Sequence, residues 1–186
     1  MMAGGVAAGA SLAAADVGKA FAVPLPATKP QWVEPRFDDI RTISFEHEWT
    51  GEKLSVPYYE RGHVLIDALA EIDHILRDHR NNKIHTTDPA MLDILVAMRR
   101  RLGTDAPIHV VCGYRSPETN ALLVEQSDGV AKQSFHMAGM AIDIRIPDRD
   151  LSAMRAVALD LQMGGVGYYP KSNFLHIDSG PVRTWN

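Results

Sequence analysis

The sequence contains a single cysteine, Cys112, among its 186 residues. One cysteine excludes an internal disulfide framework and a metal cluster held by several thiolates. Cys112 closes the largely apolar segment 108–112, so we expect a small buried thiol there rather than a nucleophile.

The chain also lacks an excess of basic residues and any long apolar run. There are 19 Lys and Arg residues against 23 Asp and Glu residues, which gives a formal net charge of -4 at pH 7. This balance offers no basic surface to a phosphate backbone, so we expect no nucleic-acid partner. No window approaches the roughly 20 apolar residues that span a bilayer, so we expect no transmembrane segment. With 46% hydrophobic residues the chain fits one compact domain, which we expect to be a monomer.

Residues 1–22 are almost uncharged, rich in Ala and Gly, and end in Ala20-Phe21-Ala22, which has the form of a signal-peptidase site. No Lys or Arg precedes Lys19, which is atypical of an export signal. Two interpretations stay open. Residues 1–22 are an export signal whose basic or twin-arginine region lies upstream of Met1, or they are a disordered tail. The first predicts a periplasmic or cell-envelope location.

The remaining pattern predicts an α+β domain. Four prolines within residues 23–37 predict an extended linker, so we expect the folded domain to span residues 38–186. Periodicity predicts a hairpin over 40–56, helices over 62–80, 88–102, 117–124 and 150–162, a turn at 127–129, and strands over 107–112, 140–146, 166–169 and 174–177. Strands joined by tight turns near the end favour an antiparallel sheet with helices on one side.

Two of these strands carry residues that can bind a metal. Side chains alternate along a strand, so Asp143 points away from the apolar face of its strand, and His176 and Asp178 share a face of theirs. His136 precedes a glycine that lets the backbone turn toward Asp143. If the strands pair, two imidazoles and one carboxylate converge as in a catalytic zinc site. A surface histidine and a strand-end carboxylate are the alternative reading of His136 and Asp143.

The motif S-x-H-x-x-G-x-A-x-D at residues 134–143, followed by H-x-D at 176–178, resembles the zinc peptidases of the D-alanyl-D-alanine carboxypeptidase and hedgehog-type fold. Within that group the chain is most similar to the YcbK-like murein endopeptidase family, over nearly all of residues 40–186. The resemblance implies that His136, Asp143 and His176 bind Zn²⁺. It also implies a peptidoglycan peptide as substrate, cleaved at amide bonds in cross-links or stem peptides.

The resemblance further places Arg115 in the cleft, where a guanidinium can hold a substrate carboxylate or the developing oxyanion. An ion pair with Glu118 or the sheet edge is the alternative for Arg115. Ser134 is expected to orient the substrate or the His136 loop, or to be a plain turn residue. Arg145, on the face of Asp143, is expected to pair with a carboxylate.

One position departs from the pattern of the carboxypeptidase branch. That branch has a catalytic Glu three positions before its last zinc histidine, and this chain has Asn173 there. Asp178 is the available substitute, either as general base, as the residue that orients His176, or as a cap of the final turn. The departure keeps open a catalytically inactive, zinc-containing cell-wall binding module. A zinc hydrolase for another amide or ester substrate is a third alternative.

Overall fold

A computed structural model of the chain describes Met1 and residues 39–126 and 131–186. All secondary-structure elements given below belong to the unit that spans residues 33–186. The expectations for the signal or tail, for the linker over 23–37 and for the turn at 127–129 lie outside the described residues, Met1 apart.

The described residues form eight strands and four α-helices in a mixed α+β arrangement. The strands are β1 (Arg41–His47), β2 (Lys53–Glu60), β3 (His63–Val64), β4 (Ile108–Cys112), β5 (Ala141–Arg145), β6 (Gly165–Tyr169), β7 (Phe174–Asp178) and β8 (Arg183–Trp185). The helices are α1 (Ile66–Ile75), α2 (Pro89–Leu102), α3 (Pro117–Gln126) and α4 (Leu151–Leu161). A short 3-10 helix, Phe135–Ala138, precedes β5.

The strands form one sheet in the order β3-β2-β1-β4-β5-β7-β6-β8. The predicted antiparallel sheet is only partly right, because β1 pairs with β4, and β6 with β8, in parallel. Helices α1 and α2 lie between β1 and β4 in the chain and provide the long crossover that a parallel pair needs. Residues 179–182 reverse the chain after β7, so β8 runs in the direction of β6.

The hydrophobic core lies between one face of the sheet and three helices, α1, α2 and α4. Helix α2 follows its sequence signals closely: the Asp88 side chain accepts a hydrogen bond from the Ala90 N–H at 3.0 Å, and Gly103 ends the helix with a φ of 62°. In the part of the chain that the structure describes, no helix combines the length and the hydropathy needed to cross a bilayer.

The helix predicted over 62–80 is wrong at both ends. Residues 63–64 form β3, and α1 stops at Ile75. The chain turns after Leu76 because the buried Asp78 carboxylate accepts hydrogen bonds from the backbone N–H of Ser116 at 2.9 Å and of Arg80 at 3.0 Å. This contact ties the 76–80 segment to the loop that carries Arg115. Apolar spacing predicts a buried face but cannot reveal such a long-range polar contact.

The opposite face of the sheet carries the polar residues of the central strands. In the pairing of β5 with β7, Asp143 lies directly opposite His176, and Ala141 lies opposite Asp178. The register therefore places the candidate site at the centre of the sheet, away from the helices.

Candidate metal centre

Three elements bring His136, Asp143 and His176 together. The paired strands β5 and β7 supply Asp143 and His176, and the 3-10 helix supplies His136. The Ser134 hydroxyl caps this short helix by accepting a hydrogen bond from the His136 N–H at 3.3 Å. Gly139 ends it with a φ of 66°, at a place where a Cβ would overlap the Thr86 carbonyl oxygen. The loop that holds His136 therefore requires a glycine.

The donor atoms of the three side chains form a small triangle. The distances are 3.1 Å from His136 Nε2 to His176 Nδ1, 3.3 Å from His136 Nε2 to Asp143 Oδ1, and 2.9 Å from His176 Nδ1 to Asp143 Oδ1. All three side chains are buried, with 2 to 8% of their residue surface exposed. The convergence that the sequence motif predicts is present.

The tautomer of His136 follows from its other ring nitrogen. Nδ1 lies 2.7 Å from the Gly113 carbonyl oxygen, which can only accept a hydrogen bond. Nδ1 therefore carries the hydrogen, and in the neutral ring the lone pair is on Nε2. That lone pair points at the other two donor atoms.

In His176 the two ring nitrogens have the reverse roles of those in His136. The Nε2 atom of His176 lies 3.1 Å from Asp178 Oδ2, which accepts a hydrogen bond from the Nε2–H; in the neutral ring with this hydrogen the lone pair is on Nδ1, which faces Asp143 and His136. Asp178 is itself fully buried. Its Oδ1 accepts from the Gly180 N–H at 2.9 Å, and Arg183 donates to both of its oxygens at 2.9 and 2.7 Å. A histidine whose second nitrogen is held by a carboxylate is the usual arrangement around protein-bound metals.

The short distances between these side chains shift the pKa values of His136 and Asp143. Burial alone would lower the pKa of His136, but the adjacent Asp143 carboxylate and the Cys112 sulfur together outweigh burial and raise the pKa to about 10. Burial would raise the pKa of Asp143, and the two histidines lower it well below its usual range. In the absence of a cation, a proton on His136 balances the buried carboxylate.

The donor set fits a zinc ion. Zinc takes imidazole nitrogen and carboxylate oxygen ligands at about 2.0–2.1 Å, and a tetrahedral arrangement separates such donors by about 3.3 Å. The observed separations of 2.9 to 3.3 Å are close to this value. Three protein ligands leave the fourth position to water or substrate, as catalytic zinc sites do.

Cys112 is a close neighbour of the same site. Its sulfur lies within 4.8 Å of donor atoms of His136 and Asp143, and Arg115 Nη2 donates to it at 3.7 Å. The thiol is buried as predicted, and the positive charge of His136 outweighs the effect of burial and lowers its pKa. Unlike the thiol, each of the two imidazoles has its second nitrogen fixed by a hydrogen bond, as metal-binding histidines usually do.

Arg115 lies beside the donor set with 12% of its side chain exposed. Nη1 donates to Asn120 Oδ1 at 3.2 Å, and Nη2 is 4.0 Å from Asp143 Oδ2. Its Nε is buried and has no hydrogen-bond partner among the described residues. Glu118, one of the two alternative partners, instead binds Lys83 at 2.6 Å, whereas the 4.0 Å contact with Asp143 joins Arg115 to strand β5 of the sheet.

The site opens into a cleft of about 780 Å³. Arg115 and Ser134 line this cleft together with His136, Asp143 and His176. Aromatic rings form much of the remaining wall: Phe135, Tyr169, Phe174 and Trp185. The cleft is large enough for a short peptide segment.

A family model described as "Peptidoglycan L,D-endopeptidase MepK" matches residues 36–185. The chain belongs to the MepK family. Peptidoglycan L,D-endopeptidase MepK of Escherichia coli (strain K12) is 42% identical over 145 residues, which cover 78% of this chain and 80% of the relative. A Haemophilus influenzae protein, named a probable peptidoglycan L,D-endopeptidase MepK, is 44% identical over 146 residues, which cover 78% of each chain. The resemblance to the YcbK-like murein endopeptidases is confirmed.

Asn173 has a conformational role in this MepK-family chain. It adopts a left-handed backbone conformation with a φ of 53° in the turn between β6 and β7, where Asn is better tolerated than most residues. Arg145 donates to its carbonyl oxygen at 2.6 Å and to that of Ser172 at 2.9 Å, and also pairs with Glu48. Arg145 therefore secures this turn, in addition to the carboxylate pairing expected from the sequence.

Asp178 lies on the far side of the His176 ring from the other donor atoms, and each of its oxygens accepts two hydrogen bonds. Hydrogen bonds from His176, Arg183 and Gly180 outweigh the effect of burial and lower its pKa to about 2. This geometry supports the orienting role among the three alternatives and gives no support to the general base.

Arg183 and Trp185 in β8 were not recognised as site residues from the sequence. Arg183 holds Asp178, and the Trp185 ring centroid lies 5.1 Å from that of His176. A three-residue strand has too little periodicity to be predicted, and no local motif connects Arg183 to Asp178. Only the family resemblance over residues 180–185 pointed to this segment.

Proposed function

We propose that this protein is a zinc-dependent peptidoglycan L,D-endopeptidase with His136, Asp143 and His176 as its metal ligands. The observation that carries the ligand set is the convergence of two imidazole lone pairs and one carboxylate oxygen within 3.3 Å. The bond class is carried by the names of relatives that are 42 to 44% identical over most of their length.

Bound zinc would activate a water molecule and polarise the scissile carbonyl group. The chain's own residues prepare the site for this ion. The Gly113 carbonyl and the Asp178 carboxylate orient the two imidazoles so that, in the neutral rings that bind a metal, the lone pairs point inward. Asp143 supplies the single negative charge of the ligand set.

Arg115 is proposed as the catalytic residue that stabilises the oxyanion or holds a substrate carboxylate. Its guanidinium is largely shielded from solvent and lies next to the ligand set, and its Nε–H has no partner within the described residues. A cation that is shielded from water interacts strongly with the negative charge that develops on the oxyanion during the reaction. Ser134 is proposed to bind substrate at the mouth of the cleft, in addition to capping the helix of His136.

Digestion of purified peptidoglycan sacculi tests the activity. We expect soluble peptides to be released from cross-links between an L- and a D-centre in preference to those between two D-centres. A chelator and the His136→Ala substitution should both abolish release, and added zinc should restore the chelated wild type. His109→Ala is the matched control, because His109 lies on the same strand as Cys112 but pairs with Glu46 and Glu48.

A zinc-containing cell-wall binding module is the second candidate. Among the described residues that line the cleft, Asp143 supplies the one side-chain carboxylate, so no general base is evident there. Zinc binding and retention on sacculi without any peptide release would favour this candidate. Preferential release of peptides from cross-links between two D-centres would instead refute the proposed specificity.

We also propose that the sheet is of the hedgehog and D-alanyl-D-alanine carboxypeptidase type, and that residues 1–22 direct export to the periplasm or cell envelope. The first proposal is supported by the motif at residues 134–143 and the ligand geometry. The second is supported by the composition of residues 1–22 and by the peptidoglycan substrate named for the relatives. N-terminal sequencing of the protein from the cell envelope tests it.

A further inference from the structure

The guanidinium of Arg183 faces the buried carboxylate behind His176. Nη1 donates to Asp178 Oδ1 at 2.9 Å, and Nη2 donates to Oδ2 at 2.7 Å. Such a side-on pair fixes the plane of the carboxylate as well as its position, because both oxygens are held at once. Oδ2 is the oxygen that accepts the hydrogen bond from His176 Nε2.

Two aromatic rings contact Arg183, and one glycine leaves the space that it occupies. Its Cζ lies 5.0 Å from the ring centroid of Phe135 and 4.9 Å from that of Trp185, both within cation–π range. A Cβ at Gly165 would overlap Nη1 of Arg183 and the Asp178 carboxylate, so the sheet leaves space there for this ion pair. Phe135 is adjacent to His136, so the same cation contacts the two elements that carry the imidazoles.

We propose that Arg183 is a positioning residue of the metal centre, which acts through Asp178 to keep Nδ1 of His176 directed at the other donor atoms. The proposal rests on the ligand set given under Proposed function. If the His176 ring turned over, carbon atoms would replace its nitrogens opposite both Asp143 and Asp178. A carboxylate held rigidly by Arg183 opposes that rotation, whereas a mobile carboxylate could follow the ring.

Direct binding of substrate is the competing role for Arg183. Its side chain is 38% exposed and lines the cleft, so it is accessible to a substrate carboxylate. Its terminal nitrogens, however, are already engaged with Asp178. The positioning role predicts an effect on metal affinity without substrate, which direct binding does not predict.

The test uses the full chain with Arg183→Met and Arg183→Lys, each alone and combined with Asp178→Asn. Zinc affinity is measured by competition with a chelator. The tautomer of His176 is measured by nitrogen NMR of the metal-free protein. Arg41→Met is the matched control, because Arg41 also lies over an aromatic ring, that of Tyr59, and pairs with carboxylates.

We expect Arg183→Met to weaken zinc binding about 10-fold and to broaden or shift the His176 signals, as loss of a residue behind a metal ligand does. Arg183→Lys should show a smaller loss, since an ammonium keeps the charge but lacks the planar fork. In the Asp178→Asn background, Arg183→Met should cause no further loss, because its effect passes through the carboxylate. The control should match the wild type.

Unchanged zinc affinity and unchanged His176 signals in Arg183→Met would overturn the inference. Fully additive losses in the double variant would also overturn it, because Arg183 would then act by another route. A raised KM with unchanged zinc affinity would assign Arg183 to the substrate instead. If Arg183→Met does not fold, Arg183→Lys decides by the same criteria. If the wild type binds no zinc, the proposed function fails, but the tautomer in the metal-free protein still tests the link between Arg183 and His176.

Discussion

Replacement of Asp178 by Asn distinguishes a residue that orients His176 from a general base. The carboxylate accepts four hydrogen bonds, from His176 Nε2, the Gly180 N–H and two nitrogens of Arg183. Asn keeps one acceptor oxygen and places an NH₂ donor against two of these four donors. The amide can turn either way, but it cannot satisfy all of them.

The magnitude follows from these contacts. Each hydrogen bond to a charged group contributes about 1.5–3 kcal/mol, and Arg183 can recover part of its loss by hydration, so we expect the free energy of unfolding to fall by about 2–4 kcal/mol. The weaker hold on His176 should reduce zinc affinity about 10–100-fold. That reduction corresponds to about 1.4–2.7 kcal/mol of binding free energy.

The assay separates metal binding from turnover. Zinc affinity is measured by chelator competition, and peptide release from sacculi is then measured with enough zinc to saturate the variant. An orienting residue predicts weak zinc binding and substantial activity at saturation. Asp93→Asn is the matched control, because Asp93 also binds an arginine, Arg41, but lies on helix α2. If Asp178→Asn keeps the zinc affinity of the wild type but loses activity at saturating zinc, the orienting role is refuted and Asp178 acts as the general base.

Three further predictions concern the loop, the proton balance and acid stability. Gly139→Ala should lower the free energy of unfolding by about 2–4 kcal/mol in urea, because it adds left-handed strain and an overlap with the Thr86 carbonyl. Zinc binding at pH 7 should release about one proton, since the pKa of His136 is about 10 and only the neutral ring binds metal; titration calorimetry in buffers of different ionisation enthalpy measures this. Burial lowers the pKa of His47, so the unfolded chain takes up the proton first and stability should fall as the pH drops below about 6.5. His47→Asn should reduce that dependence in urea unfolding at pH 7.5 and 5.5.

Each of these predictions has its own control or contrary result. Gly51→Ala is the control for Gly139→Ala, because Gly51 has a φ of 73° with nothing within 4 Å of a Cβ; equal losses in both variants would refute the overlap. A binding heat that does not depend on the buffer would contradict proton release from His136. If His47→Asn keeps the full acid sensitivity of the wild type, other groups cause it.

The sequence by itself determined the parts of this protein that depend on local spacing. Asp88 and Gly103 mark the ends of α2, and the alternation in β5 and β7 places Asp143 and His176 away from the apolar face. These signals are local because capping and side-chain alternation depend only on residues a few positions apart. The donor residues of the proposed zinc site were therefore predictable once the two strands were taken to pair.

Only the tertiary structure decided which groups form hydrogen bonds to His136 and Asp178 on the side away from the proposed metal site. The Gly113 carbonyl fixes His136 from 23 residues away, and Arg183, in a strand too short to predict, fixes the Asp178 carboxylate. Hydrogen bonds between distant segments leave no periodic trace in a sequence, because they depend on where folding brings the chain together. The same reason explains why the spacing of Asp178 to His176 left three roles open. The orienting role proposed for Asp178 depends on four hydrogen-bond donors that only the fold brings together.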